Sequence, residues 1–212
     1  VLDKASFTCD DVGPNTVTLI VTDVSGNSAS ATATVTVRDV TPPTAVAQNI
    51  TVQLDASGNV TITAAQVDNG SSDVCGVTLS LNVTSFTCND VGANPVILTV
   101  TDPSGNSSTA NAVVTVQDVT SPTAVAQNIT VQLDASGNVS ITGADVDNGS
   151  SDECGIASLI VSPNTFDCTN VGTPVSVILT VTDNSGNAST ATAIVTVEDN
   201  VAPVALAQDV TV

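Results

Sequence analysis

Carboxylates hold most of the chemistry available to this chain. DNGSSD at Asp68 to Asp73 and DNGSSDE at Asp147 to Glu153 each place acidic side chains on one loop, with amide, hydroxyl and carbonyl oxygens between them. TDPSGN and TDNSGN add Asp102 and Asp183, and the segments VRDVTPPTA, VQDVTSPTA and VEDNVAPVA add Asp39, Asp118 and Asp199. If these segments link one small β-domain to the next, loop, turn and linker meet at one end of each domain. Three or four carboxylates converging there with little cationic charge repel one another. Ca²⁺, a hard cation that takes roughly six to eight oxygens, is the ion that would use them. The candidate ligands are Asp39, Asp68, Asp73, Asp102, Asp118, Asp147, Asp152 and Asp183. Against this stands the fact that Asp, Asn, Gly and Ser are what turns are made of. DASGN, at Asp55 and Asp134, reads as a hairpin turn only.

The five cysteines are the second reactive group. Cys75 with Cys88 and Cys154 with Cys168 fall two to a repeat, and the spacing predicts these two disulfides. Cys9 is then left to a cysteine about four residues upstream of Val1. Each bond would close a loop of roughly 14 residues, worth about 3 kcal/mol in a chain-entropy account, and would place the protein in an oxidising, extracytoplasmic compartment. Zinc competes for the same sulfurs, but two per repeat with no histidine fall short of four ligands.

Other chemistry has little to work with. The chain has no His, Trp, Tyr or Met, and two cationic residues stand against 21 acidic ones, a formal net charge of −19. Such a chain repels phosphate backbones and offers no basic stripe, which excludes nucleic acid as a partner. Without histidine there is no Ser-His-Asp or Cys-His pair, and no Gly-rich phosphate loop appears. Paired carboxylates can hydrolyse glycosides, but every pair here recurs with the repeat, whereas an active site is built once. The expectation is that the chain is not an enzyme. No apolar run approaches the ~20 residues of a membrane span, and the start lacks the features of a signal peptide, so an export signal would lie outside this segment. Asn49 and Asn128 head N-x-T matches that such an Asn- and Thr-rich composition produces by chance.

The elements that position these groups follow from the repeat. PTAVAQNITVQLDASGNV occurs letter for letter at Pro43 and at Pro122 and begins again as PVALAQDVTV at Pro203. Phe7, Phe86 and Phe166, Cys9, Cys88 and Cys168, and Gly13, Gly92 and Gly172 keep the same period of 79, with two single-residue insertions in the later copy. A fixed period signals an array. The chain divides into the back half of a repeat (1–39), two complete repeats (40–118 and 119–199) and the first strand of another (200–212). Apolar residues alternate at Ile50, Val52 and Leu54, at Val60 and Ile62, at Val77, Leu79 and Leu81, at Val96, Leu98 and Val100, and at Ala112, Val114 and Val116. Period-two alternation marks half-buried strands. Six or seven such strands per repeat predict an all-β fold: tandem immunoglobulin-like sandwiches in a linear array, each core centred on its single Phe.

A linker Asp before Pro-rich TPPTA, then NITV, D…CG, a Phe shortly before VG, and VTDxSGN closing on VTV together resemble the hyalin repeat, an immunoglobulin-like extracellular module. DVCG and DECG stand where that family has DNCG. The near-verbatim copying is similar to that in giant surface adhesins of gliding-type bacteria. This resemblance implies export by the type 9 pathway, an extracellular position at the cell surface, and a stalk or filament that supports attachment and gliding motility. Its partners would be neighbouring repeats of the same chain and an unidentified surface ligand or polysaccharide. Two alternatives remain: spacer domains on a secreted enzyme, and a homopolymeric filament assembled by strand exchange.

Overall fold

The computed structural model describes residues 1–210. Its elements, in chain order, are β1 (Gly13–Thr22), β2 (Ser28–Val37), β3 (Ile50–Gln53), β4 (Asn59–Thr61), a one-turn helix α1 (Ala64–Val67), β5 (Thr78–Leu81), β6 (Ser85–Thr87), β7 (Gly92–Thr101) and β8 (Ser107–Gln117). They continue as β9 (Ile129–Gln132), β10 (Asn138–Ser140), a second one-turn helix α2 (Gly143–Val146), β11 (Ile156–Ser162), β12 (Thr165–Asp167), β13 (Val175–Asp183) and β14 (Ala188–Glu198). Short 3₁₀ turns begin at Cys9, Cys88 and Cys168. The fold is all-β, as the alternating Val, Ile and Thr require.

The chain separates into two compact units: residues 1–52, 61–86 and 92–116 form the first, and residues 53–60, 87–91 and 117–212 the second. In the second, a four-stranded sheet runs β11-β13-β14-β9 and a two-stranded sheet pairs β10 with β12. β9 lies parallel to β14, Ile129 beside Val195 and Gln132 beside Glu198. Both sheets feed one core. Phe166 of β12 and Ile141 after β10 pack with Val161 of β11, Val177, Leu179 and Val181 of β13, and Ala193, Val195 and Val197 of β14. That common core makes the unit a β-sandwich. Just before β9, the side-chain carbonyl of Asn128 accepts the Ile194 amide at 2.8 Å, extending the sheet by one hydrogen bond. Asn49 does the same for Val113. The first unit contains a β3-β8-β7-β5 sheet of the same order, and Phe86 is likewise buried.

The hairpin β1–β2 pairs over its whole length, from Gly13 opposite Val37 to Thr22 opposite Ser28. Leu19 and Val21 are exposed there, although their counterparts Leu98 and Val100 are fully buried. The difference is one of neighbouring strands: β7 and β8 lie inside a four-stranded sheet with β3 and β5, whereas β1 and β2 form a two-stranded sheet. Residues 200–210, the expected first strand of a further repeat, are exposed and form no strand, although Asn200 Nδ2 donates to Gln132 Oε1 at 2.6 Å. Thr211 and Val212 of that strand lie outside the described residues.

Two local features depart from the alternating strands and turns expected above. Thr63 and Thr142 open the one-turn helices, and their backbone amides are capped by Gln66 Oε1 at 2.7 Å and Asp145 Oδ2 at 2.7 Å. Each turn drives one valine, Val67 or Val146, fully into the core. This is the T-x-x-Q/D capping box, which the sequence displays.

The second departure concerns an inserted residue. The later repeat has one more residue between its cysteine and its phenylalanine, and the ladder absorbs it as a bulge between Ile156 and Ser158. Nearby, Gly143 occupies the place of Ala64, and a Cβ on it would meet the Leu159 carbonyl oxygen at 2.4 Å. Gly143→Ala is therefore expected to cost about 1–3 kcal/mol by overpacking, read as a lowered denaturant midpoint. An unchanged midpoint would show that the backbone yields.

Candidate functional site

The cysteines are paired differently from the spacing prediction. Cys9 is bonded to Cys75 and Cys88 to Cys154, each across 66 residues, with Cα–Cα distances of 5.3 and 5.1 Å. The expected Cys75–Cys88 and Cys154–Cys168 bonds are absent, Cys9 needs no upstream partner, and Cys168 is a free, exposed thiol. The second unit shows why. The Cys154 carbonyl accepts Asn184 Nδ2 at 2.8 Å, at the β13–β14 turn. Cys168 Sγ lies 3.7 Å from the Gly137 carbonyl, in the turn after β9. β14 runs eleven residues between those two ends, roughly 30 Å, and a disulfide needs Cα atoms within about 7 Å. Cysteines fourteen residues apart in sequence thus sit at opposite poles of one sandwich.

The DASGN turn seats this cysteine. A Cβ on Gly58 would lie 2.6 Å from Cys88 Sγ, and one on Gly137 2.8 Å from Cys168 Sγ. Both glycines have positive φ, 71° and 76°, which other residues seldom adopt. The turn is therefore more than a connection between strands, and the repeated glycine was its signal.

The eight candidate aspartates divide into two groups. Asp68 and Asp147 cap their own loops, accepting the amides of Gly70 and Ser71 and of Gly149 and Ser150 at 3.1–3.2 Å. Hydrogen bonds from the Ser71 and Ser150 side chains, then from those backbone amides, hold both carboxyls below the ordinary aspartate range. Asp102 and Asp183 are buried inside the TDxSGN turns. Asp102 takes the Asn106 amide at 2.8 Å and its Nδ2 at 2.7 Å. Burial alone would raise its pKa, but these bonds from Asn106 outweigh it and the pKa is lowered. Asp183 is bound in the same manner by Asn187 and Ser185. In all four, both carboxylate oxygens accept hydrogen bonds from the residue's own loop or turn.

The remaining four meet in pairs. Carboxylate oxygens of Asp39 and Asp73 and the sulfur of Cys75 lie within 4.8 Å of one another, and Asp118, Asp152 and Cys154 repeat the arrangement in the second unit. The linker is held in place by the turn. Asn106 Nδ2 donates to the Asp39 carbonyl at 3.2 Å, and Asn187 Nδ2 to the carbonyls of Asp118 and Thr120 at 3.3 and 3.2 Å. Asp102 and Asp183 thus act on the site through an asparagine, as positioning residues. Both clusters are groups that could hold a metal ion.

No protein-family model matches the chain, and no curated protein matches it in sequence. Similar solved structures include extracellular cadherin domains 1–4 of protocadherin gamma B7, at 9% identity over 91% of this chain and 59% of that one, TM-score 0.39. Human mucin-like protocadherin EC1-2 is 16% identical over 72% of this chain and 96% of that one, TM-score 0.38. Titin domains I67–I69 are 11% identical over 91% and 76%, TM-score 0.35. The chain spans 59% of the first of these structures. At such values the fold rests on the strand order and shared core described above. No helix among the described residues is long and apolar enough to cross a membrane.

Proposed function

We propose that this chain is a stretch of a non-enzymatic extracellular array, forming the stalk or filament of a cell-surface adhesin. The observation that carries the reading is the register of the disulfides, since each bond joins one sequence repeat to the next. Repeats 40–118 and 119–199 are its modules. A spacer needs only folded domains, whereas a load-bearing array gains from modules chained by bonds additional to the backbone. Disulfides persist in oxidising surroundings, which supports an extracellular location. The chemistry of the repeated turns, with acidic caps and no histidine, supports a mechanical role over a catalytic one. A gliding-type bacterial surface and type 9 export are the finer form of this proposal, drawn from the resemblance to the repeats of such adhesins.

Antibodies against residues 40–199 test it. Applied to intact, unpermeabilised cells, they are expected to label structures standing off the surface and to reduce attachment to a solid support. Labelling only after permeabilisation would sink the proposal. Labelling of a soluble secreted protein with catalytic activity would favour the spacer reading.

A further inference from the structure

Asp118 is only 7% exposed. Its Oδ1 accepts the Thr120 amide at 3.0 Å, but its Oδ2 is enclosed and has no hydrogen-bond partner. An ionised oxygen taken from water without a donor is costly, which is why buried charges are normally paired or bind metal. The second unit has nothing to pair it with. The chain's two cationic side chains, Lys4 and Arg38, both belong to the first unit. What lies beside Asp118 is a second carboxylate, Asp152, and the Cys154 sulfur. Asp152 is fixed in place, its Oδ1 accepting the Cys154 amide at 2.8 Å. The sulfur is already in a disulfide and cannot serve as a thiolate, so the donor set is oxygen. Thr120, Ser121, Ser151 and Glu153 line the adjoining cleft with further oxygens.

The first unit repeats the hydrogen bonds and the cluster, with Asp39 half-buried rather than buried and Arg38 beside it in sequence. Asp39 Oδ1 accepts the Thr41 amide at 3.0 Å, Asp39 Oδ2 is enclosed and unpartnered, and Asp73 Oδ1 accepts the Cys75 amide at 2.8 Å. The same orphan oxygen thus occurs in two copies whose neighbouring residue changes from Arg38 to Gln117.

We propose that Asp118 with Asp152, and Asp39 with Asp73, form two divalent-cation sites that take Ca²⁺. The orphan oxygen and the facing carboxylate supply the protein charge, and cleft oxygens and water complete the shell. Ca²⁺ fits better than Mg²⁺ because it accepts an irregular set of oxygens, whereas Mg²⁺ demands a near-ideal octahedron. Two carboxylates per site match the weak range of extracellular modules, a Kd of about 0.1–1 mM.

Calorimetric titration and thermal melting of the full chain test this, at constant ionic strength so that screening of the acidic surface is held fixed. Two Ca²⁺ are expected per chain, one for Asp118→Asn, and none for Asp39→Asn with Asp118→Asn. Saturating Ca²⁺ should raise Tm by about 5 °C over chelator. Asp118→Asn should itself raise Tm in chelator, because it removes an unpaired buried charge, and this opposite sign separates loss of the site from misfolding. The proposal is overturned if no stoichiometric binding is found, if the double variant binds as the wild type does, or if Mg²⁺ gives an equal shift.

Discussion

A chain with Cys88 and Cys154 both replaced by serine is expected to unfold its second unit with about 4 kcal/mol less free energy than the oxidised parent. The bond closes 66 residues, and in the chain-entropy account a loop of that length restricts the unfolded ensemble by roughly that amount. Guanidinium unfolding under non-reducing conditions reads the loss. The size of the effect does not by itself identify the partner, since a fourteen-residue loop would give about 3 kcal/mol. Non-reducing peptide mapping does so. Proteolysis of the oxidised parent is expected to release Cys9 with Cys75 and Cys88 with Cys154, and to leave Cys168 open to alkylation. A Cys75–Cys88 peptide would return the molecule to separately stapled repeats and remove the main support for a linked array.

The second large effect compares one position in three contexts. Leu19, Leu98 and Leu179 are equivalent by the repeat, and their exposures are 46%, 0% and 0%. Leu179→Ala removes a side chain packed among Phe166, Val177 and Val195 in a closed core. It is expected to cost about 3–5 kcal/mol, the transfer loss adding to the cavity left behind. Leu98→Ala should cost a similar amount. Leu19→Ala should change stability by less than about 1 kcal/mol, since half of that side chain already meets water. Denaturant midpoints of the three single variants give the comparison, and three equal losses would contradict the open hairpin.

The strands were legible because alternation of Val and Ile with Thr is itself the physical condition for a half-buried ladder. Val96, Leu98 and Val100 are buried as that pattern requires. The turns were legible from their Asp and Gly residues. The disulfide register was not, because closeness in sequence says nothing about which pole of a sandwich a loop occupies, and that depends on strand length and direction. The eight aspartates looked alike in sequence because each accepts a backbone amide in its own loop, turn or linker. Only the hydrogen-bond partners tell them apart: Asp102 and Asp183 are fully engaged, whereas Asp39 and Asp118 keep one oxygen free of any donor. The one-turn helices were announced by Thr63 with Gln66 and Thr142 with Asp145, a spacing easily lost inside a run of polar residues.

The disulfides also decide how far this chain can be stretched. Pulled out as a plain polypeptide, the 145 residues from Cys9 to Cys154 would span about 500 Å. With both bonds intact, tension passes from Cys9 straight to Cys75 and from Cys88 straight to Cys154. Only the thirteen-residue stretch between Cys75 and Cys88 can pay out, about 45 Å. Even with both sandwiches unravelled, the oxidised stretch from Cys9 to Cys154 would lengthen to only about a tenth of its contour, and reduction of the two bonds would release the rest.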